Sequence, residues 1–403
     1  MPEEKRMKIS PRLQSLFLLS VSLIASLILC EIGLRVLTPF PVNKSSNKID
    51  DAVLGYRMNS KLAGVDSSGF RNPSENQRVL AAIGDSHTFG FNVTPEDTWP
   101  AVLQRNSGIP IYNFGVGGYG IYSYHALMRQ HVAPEYTGAL IALYIPNDFS
   151  ERSHCLSLID RGSSFWRQET KRLSLTMPKC WGLDKAYKSR RIGHFIKYET
   201  AIGSAFKHLI IDRVRAFGRI RVKKTIEVPY AQESVRLRRV SALTRSMDFD
   251  RDEIRTIWSD FLKMLADWSN TAREKKLLLG MIIIPSKQRV LLEYAKHRGE
   301  DQPSERLKEA LQKEVELEAK IIEHARNLGI PTDSAIGPML NAKELALQKG
   351  MPLYPPGNGH PNAAGYAAYA RSAHDLLRKI CDDHMDNPIC SQAWARRAEQ
   401  ISK

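Results

Sequence analysis

The residues best suited to chemistry follow the first predicted strand, in the segment 84–90 (GDSHTFG). That strand is predicted over 79–83, and a serine at the turn from a strand to a helix presents its Oγ at the carboxyl edge of a parallel sheet. Gly84 and Gly90 permit the tight backbone that such a turn needs. Ser86 is therefore a candidate nucleophile, and the alternative is a phosphate-binding or purely structural turn.

Three further segments are placed where they would meet this serine at one edge of the sheet. Residues 113–120 (NFGVGGYG) follow the second predicted strand, 146–148 (PND) follow the third, and 357–362 (GNGHPN) precede the last predicted helix. The order serine, glycine, asparagine, histidine resembles the SGNH (GDSL) hydrolase superfamily over about residues 53–380. The first segment, followed by 98–100 (TWP), resembles the membrane-anchored, extracytoplasmic bacterial members.

The resemblance implies a serine ester hydrolase that works through an acyl-enzyme and needs no cofactor. Ser86 matches the nucleophile, and His360 matches the general base that takes its proton. The backbone N–H groups of Ser86 and Gly118 match two donors of the oxyanion hole, and the side-chain amide of Asn147 matches the third. Each such donor is worth about 2.7–4 kcal/mol in comparable enzymes, because it is in place before the oxyanion forms.

The sequence departs from the family pattern at the acid that usually stands two or three residues before the histidine. Asn358 and Gly357 occupy those positions. Three hypotheses follow. The site is a Ser–His dyad whose ring is oriented by Asn358 or a backbone carbonyl, or another carboxylate such as Asp148 or Asp333 approaches, or the site is degenerate and only binds.

The residues around the nucleophile have more modest interpretations. His87 is interpreted as lining the site rather than as a second base, because adjacent side chains at a turn usually diverge. Asp85 is interpreted as a structural acceptor at the turn. Tyr119 and Tyr122 either line the pocket or pack in the core.

The glycine-rich segment also has the spacing of a dinucleotide-binding loop, with Gly115, Gly117 and Gly120 in the required positions. That loop needs an acid at the end of the following strand. Glu135 precedes the strand predicted over 139–145, so nucleotide binding is disfavoured.

Apolar runs alternate with helical patterns from residue 79 onward, and the runs lack polar alternation, as in a parallel sheet covered on both faces. We therefore predict a three-layer α/β/α, doubly wound parallel sheet of the SGNH-hydrolase kind. The predicted strands cover 79–83, 109–114, 139–145, 277–284 and 330–333, and the predicted helices cover 95–105, 121–132, 252–273, 304–327 and 362–381.

The N-terminus predicts a transmembrane signal anchor. Basic residues precede an apolar run over 13–29, which is at the lower length limit for a spanning helix. Positive charge before the run and Glu31 after it place the following chain on the periplasmic face of the inner membrane. A cleavable signal peptide is disfavoured because no small-residue cleavage pattern ends the run. A lipoprotein signal at Cys30 is disfavoured by Leu29 before it.

The composition is that of a globular protein, with 403 residues, 43% of them apolar and 25% charged. This composition disfavours a disordered, a collagen-like and a small disulfide-dense protein, and a polytopic membrane protein is disfavoured because one apolar run alone approaches membrane length. Five segments are predicted: 1–37, cytoplasmic tip and anchor; 38–78, stalk and N-terminal extension; 79–150, first part of the SGNH-like domain; 151–250, basic cap insertion; and 251–403, second part of the domain and tail.

The net charge of +15 is concentrated in the insertion, where residues 185–245 hold 16 Lys and Arg against 4 Asp and Glu. We interpret it as a cap that faces anionic lipid or anionic polysaccharide, the alternative being a solvated basic surface. Nucleic acid is disfavoured because no zinc-finger or RNP motif is present and the compartment is wrong.

The five cysteines fit an oxidising compartment. Cys155 with Cys180, and Cys381 with Cys390, are spaced for two local disulfides, which would leave Cys30 unpaired in the membrane segment. The alternative is four buried thiols. No Cys/His cluster has zinc spacing, so no metal is predicted.

The leading hypothesis is an anchored ester hydrolase acting on an O-acylated glycan or a lipid ester outside the cytoplasm. An O-acyltransferase that modifies envelope or exopolysaccharide needs the same first half-reaction and is the second hypothesis. A catalytically degenerate, glycan-binding envelope protein is the third.

Overall fold

A computed structural model describes residues 11–37, 47–72, 79–149, 163–176, 225–228, 233–236, 244–299, 305–384, 387 and 389–390. The chain forms two compact units. The first comprises Met1–Ser46 and Asp184–Val222, and its described part is one helix. The second comprises Asn47–Leu183 and Lys223–Lys403 and holds every strand named below.

The described strands are β1 (Lys48–Asp51), β2 (Gly55–Met58), β3 (Leu80–Gly84), β4 (Ile111–Asn113), β5 (Gly138–Leu143), β6 (Thr225–Val228), β7 (Glu233–Arg236), β8 (Leu278–Ile283) and β9 (Thr332–Ser334). The described helices are α1 (Pro11–Leu37), α2 (Ser86–Phe89), α3 (Trp99–Ser107), α4 (Ile121–Leu127), α5 (Ala133–Glu135), α6 (Ile145–Asp148), α7 (Ser164–Leu173), α8 (Asp252–Lys275), α9 (Lys287–His297), α10 (Glu305–Asn327), α11 (Ile336–Gln348) and α12 (Ala363–Asp383).

A five-stranded, fully parallel sheet in the order β4-β3-β5-β8-β9 forms the centre of the second unit. Every residue of β3, β5 and β8 is buried, which explains why these strands are continuous apolar runs. The predicted α/β class with a parallel sheet is confirmed. The chain winds outward from β3 in both directions, to β4 on one side and to β5, β8 and β9 on the other.

The helices that position the site pack against this sheet. Helix α12 contacts α3, α11, β8 and β9, while α8 contacts α4, α5 and β8. Close packing is visible at Gly280 in β8, where a Cβ would come within 2.8 Å of Ile380 Cδ1. The sheet therefore packs closely on α12, the helix that follows the predicted general base His360.

Helices α9 and α11 are among the helices that were not predicted. Helix α9 begins directly after β8 with Ser286 as its N-cap, whose hydroxyl accepts from the N–H of Arg289 at 3.0 Å. Its first turn carries charged side chains that are nevertheless buried, because Arg289 forms an ion pair with Glu318. A hydrophobic pattern cannot reveal such a helix. Helix α11 follows the short strand β9 after one residue.

The segment 47–72 belongs to the same compact unit as the sheet, although the sequence suggested a stalk and extension over 38–78. Strands β1 and β2 form an antiparallel hairpin. Leu54 and Phe70 are each 1% exposed, and the ring of Phe70 packs on Phe114 after β4 at a centroid distance of 4.9 Å. This segment therefore contributes to the core of the sheet-containing unit.

Helix α1 contains a 21-residue apolar segment, Gln14–Leu34, with a mean hydropathy of 2.3 and no burial against the rest of the protein. Within the part of the chain that the structure describes, it is the one helix long and apolar enough to cross a membrane. This agrees with the predicted anchor and leaves the side of the membrane as a prediction.

Several predictions from sequence lie outside the described residues. Most of the basic cap insertion does, as do Cys155 and Cys180. The described parts of 151–250 are α7, residues 244–250 and the β6–β7 hairpin, which is antiparallel. Binding of anionic lipid or polysaccharide to the insertion stays a prediction.

A disulfide joins Cys381 at the end of α12 to Cys390, and both residues are buried. This is the second of the two predicted pairs. Cys30 in α1 is a free, exposed thiol.

Removing this disulfide is expected to lower the free energy of unfolding by about 2–3 kcal/mol, because the bond closes a short loop and restricts the unfolded chain. The measurement is urea unfolding of a Cys381→Ser, Cys390→Ser double variant. A Cys30→Ser variant is the control and should keep the wild-type midpoint. Equal midpoints for the double variant and the control would contradict the prediction.

Candidate active site

The candidate nucleophile stands at the first residue of a short helix. Ser86 begins α2, and the carboxylate of Asp85 caps that helix by accepting from the N–H of His87 at 2.8 Å. Gly90 ends it with φ +84°, in the left-handed region. Because β4 lies on one side of β3 and β5 on the other, this turn is at the switch point of the sheet, where open α/β folds place ligands.

The structure brings Ser86 and His360 together from distant parts of the sheet-containing unit. Ser86 Oγ lies 2.8 Å from His360 Nε2, and His360 Nδ1 lies 2.9 Å from Oδ1 of Asn358. An amide oxygen can only accept, so Nδ1 carries the proton and Nε2 is free to accept from the serine. Both residues are half-buried, so the nucleophile is accessible from solvent.

The orientation of the Asn358 amide is fixed by Asn92, which sequence reasoning missed. Asn358 Nδ2 donates to Asn92 Oδ1 at 2.9 Å, and Asn92 Nδ2 donates to the backbone carbonyl of His360 at 3.1 Å. These two bonds leave Oδ1 of Asn358 facing the imidazole. Asn92 has φ +74°, a conformation that asparagine tolerates better than most residues.

Aromatic rings surround the imidazole of His360. Its centroid lies 4.6 Å from that of His87 and 5.2 Å from that of Phe91. His87 is buried, and its Nδ1 is 3.4 Å from the hydroxyl of Tyr369. The prediction that His87 lines the site agrees with this geometry.

Asp85 is more than a helix cap, because its buried carboxylate meets the nucleophile. Oδ2 lies 3.2 Å from Ser86 Oγ, a longer contact than the one from Oγ to His360 Nε2, and it accepts from Asn147 Nδ2 at 3.1 Å. Burial raises the pKa of Asp85 to about 6, against the lowering effect of its hydrogen bonds from His87, Ser86 and Asn147.

A pH effect on stability follows from this raised pKa. The folded chain holds a proton on Asp85 between about pH 4 and 6 that the unfolded chain has released, so this group makes folding less favourable as the pH rises. We expect the free energy of unfolding of the wild type, relative to Asp85→Asn, to fall by about 3 kcal/mol from pH 4 to pH 7. If the free energy of unfolding from urea titrations follows parallel curves against pH for the two proteins, this prediction is wrong.

The glycine-rich loop after β4 packs along α2, the helix that Ser86 begins. A Cβ on Gly115 would come within 2.3 Å of the backbone nitrogen of Phe89, and a Cβ on Gly117 would lie 3.7 Å from Ser86 Cβ. Gly118 has φ +91°. Among the described residues no acceptor takes the N–H of Gly118, so this donor is open to a ligand. The glycine spacing that also fits a dinucleotide loop is explained here by close packing on α2.

Asn147 reaches the same place from α6, after β5. Its Nδ2 donates to Asp85 and also lies 3.4 Å from the carbonyl oxygen of Tyr119. The second of these contacts is long, so one N–H of the amide is only weakly engaged. The structure therefore gathers Ser86, Gly118, Asn147 and His360 at one edge of the sheet.

The alternative carboxylates have hydrogen-bond or ion-pair partners of their own. Asp148 is buried and accepts from the Tyr124 hydroxyl at 2.9 Å and from the Tyr144 N–H at 2.8 Å. Asp333 pairs with Lys379 at 3.0 Å in a different part of the fold. Of the candidates named from sequence, Asn358 lies 2.9 Å from Nδ1, and an orienting role for Asp148 stays a prediction.

The two tyrosines left open by the sequence have packing roles. Tyr119 and Tyr122 are each at most 1% exposed. The hydroxyl of Tyr119 donates to the backbone carbonyl of Tyr56, and that of Tyr122 donates to Asp260 at 2.8 Å.

One buried cluster has the residue types of a metal site, namely His125, Glu169 and Asp267. The arrangement does not fit a metal. Arg172 forms ion pairs with both carboxylates, and Trp268 Nε1 donates to Nδ1 of His125 at 3.1 Å. Nε2 of this histidine consequently carries the proton that it shares with Glu169 at 2.8 Å. The cluster is a satisfied polar network within the core.

The hairpin β1–β2 also reaches the site, which the sequence did not predict. The Tyr56 hydroxyl donates to the carbonyl oxygen of Gly117 at 2.8 Å, and Lys48 Nζ donates to the same oxygen at 3.2 Å. The Lys48 ammonium lies 3.5 Å from the centroid of the Tyr56 ring.

Comparison with known proteins gives little beyond this geometry. No family model and no curated protein matches the chain. It is similar to a solved structure described as a lipolytic protein of the G-D-S-L family from Desulfitobacterium hafniense DCB-2, with 13% identity and a TM-score of 0.31, over 75% of this chain and 100% of that one. A similarity this low says nothing about function.

Proposed function

We propose that the chain is an SGNH (GDSL)-type serine ester hydrolase acting outside the cytoplasm on an O-acylated glycan or a lipid ester. The observation that carries the proposal is the hydrogen-bonded series Ser86 Oγ, His360 and Asn358, with spacings of 2.8 and 2.9 Å. Helix α1 would anchor the protein in the inner membrane, with the sheet-containing unit on the periplasmic side.

The proposed reaction begins when Ser86 Oγ attacks the ester carbonyl carbon while His360 Nε2 takes the hydroxyl proton. The oxyanion so formed accepts from the N–H groups of Gly118 and Ser86 and from the amide of Asn147. Collapse of the tetrahedral intermediate breaks the bond to the alcohol, which takes the proton from the imidazolium. Water, deprotonated by His360, then attacks the acyl-enzyme and releases the acid and Ser86.

The geometry favours the dyad among the three hypotheses for the missing acid. Asn358 holds the ring in the tautomer that leaves Nε2 free, which is one of the two roles of a triad carboxylate. It cannot supply the second role, because an amide carries no charge to stabilise the imidazolium. A slower esterase than a full triad enzyme is therefore expected.

The experiment is fluorophosphonate labelling of the full-length chain in detergent, with the adduct located by mass spectrometry. We expect one adduct, on Ser86, that is lost in a His360→Ala variant because the hydroxyl is no longer deprotonated. His297→Ala removes an exposed histidine in α9 and is the matched control. If the folded wild type takes no label, the proposal is wrong and a binding role replaces it.

A further inference from the structure

The peptide between Gly117 and Gly118 is held from outside the glycine-rich loop. Its carbonyl oxygen accepts two hydrogen bonds, from the Tyr56 hydroxyl at 2.8 Å and from Lys48 Nζ at 3.2 Å. Both donors come from the β1–β2 hairpin, which precedes the sheet in the sequence. Two separate side chains thus converge on one backbone atom beside the nucleophile.

The peptide is the centre of a β-turn closed by the Tyr119 N–H and the Val116 carbonyl at 3.1 Å, and such a turn allows its central peptide two orientations. Glycine populates many backbone conformations, and two in succession make the most permissive dipeptide available. Gly118 adopts φ +91°, and a Cβ there would lie 2.7 Å from the Tyr56 hydroxyl oxygen. The close approach of Tyr56 therefore requires glycine at this position.

Fixing the carbonyl also fixes the N–H on the other side of the same peptide plane. In a trans peptide the C=O of Gly117 and the N–H of Gly118 point in opposite directions. Because the C=O points to the hairpin, the N–H points away from it. Hydrogen bonds to a carbonyl also polarise the peptide and strengthen its N–H as a donor.

We propose that Tyr56 and Lys48 are positioning residues that hold the Gly117–Gly118 peptide so that the N–H of Gly118 donates to the oxyanion. This inference rests on the proposed function. It makes the N-terminal hairpin a working part of the catalytic site. The ring of Tyr56 in turn holds the Lys48 ammonium, at 3.5 Å from its centroid, so the two donors support each other.

The test compares Tyr56→Phe and Lys48→Met with the wild-type full-length chain in detergent. Phenylalanine keeps the ring beneath the ammonium and removes only the hydroxyl. We expect each variant to lower kcat on p-nitrophenyl acetate about tenfold, with KM changed less than twofold, since the lost interaction acts on the transition state. Lys48→Arg should restore most of the activity because it keeps a cationic donor.

Two measurements separate positioning from a general structural role. Inhibition by a trifluoromethyl ketone, whose adduct carries an oxyanion, should weaken by the same factor as kcat/KM. Hydrogen exchange over residues 115–120 should rise in Tyr56→Phe. The controls are Tyr294→Phe, which removes a hydroxyl that donates to Glu344, and Lys61→Met, which removes an exposed ammonium, and they should change none of these.

The outcomes test the positioning role, the orientation of the peptide and the proposed function separately. An unchanged inhibition constant, or a loss confined to KM, would overturn the positioning role even if the ester is hydrolysed. Unchanged exchange over residues 115–120 would show that Tyr56 does not hold the peptide. If the wild type hydrolyses no ester and takes no fluorophosphonate, the proposed function fails and the catalytic part of the inference with it, while exchange still decides whether the peptide is held.

Discussion

Replacing Ser86 or His360 by alanine is expected to lower kcat/KM for an activated ester by about 10⁴-fold. Ser86→Ala removes the atom that forms the acyl-enzyme. His360→Ala leaves that atom without a base, since Nε2 at 2.8 Å is the imidazole nitrogen in contact with Oγ. The measurement is p-nitrophenyl acetate hydrolysis by the full-length chain.

Replacing Ser86 and His360 together gives a stricter test of the same mechanism. Because the two residues act as a unit, the Ser86→Ala, His360→Ala double variant should lose little more activity than either single variant. Ser60→Ala and His297→Ala change exposed residues of the same types and should retain wild-type rates. Losses that multiply in the double variant would show that serine and histidine do not share one step.

Asn358 gives the second large effect. Asn358→Leu removes the acceptor at Nδ1 with a side chain of similar length, so the ring loses its fixed tautomer, and we expect kcat to fall by about 100-fold. Asn358→Asp keeps the acceptor and adds the missing charge, so kcat should rise above the wild-type value by about tenfold. A fall in both variants would contradict the role assigned to this amide.

Asn92 provides a cross-check on the same mechanism. Its bond to Asn358 selects which end of the amide faces His360. Asn92→Ala should therefore lower the activity of the wild type, because the amide can then rotate and present its NH₂ group. The same change should have little effect in the Asn358→Asp background, since both oxygens of a carboxylate accept. Equal losses in the two backgrounds would mean that Asn92 acts in another way.

The residues at the centre of the site could be named from sequence, because each follows a strand or precedes a helix in a recognisable order. Ser86 and His360 are 274 residues apart in the chain and still meet at 2.8 Å. Lys48, Tyr56 and Asn92 could not be named. Each of them donates to a backbone carbonyl, that of Gly117 or that of His360, and a bond to a backbone atom leaves no pattern of residue types in the sequence.

Some of the strands and helices could likewise be predicted from the sequence and others could not. Strands β3, β5 and β8 were predictable because complete burial demands apolar residues throughout. Helix α9 was not, since Lys287, Gln288 and Arg289 are buried and a reading by hydrophobicity treats them as exposed. The hairpin β1–β2 was missed because its two strands are only four residues long and partly polar.

The contacts of Asp85 have a consequence for the resting site. Its carboxylate accepts one N–H of the Asn147 amide before any substrate arrives, and this bond fixes the plane of the amide. The second N–H of that amide, whose nitrogen lies 3.4 Å from the Tyr119 carbonyl oxygen and which is only weakly engaged, is thereby oriented while the chain folds. Orienting the amide in this way requires a buried Asp85 carboxylate, which costs free energy, and the same burial raises the pKa of Asp85 to about 6. The substrate therefore meets an Asn147 amide whose orientation was set during folding.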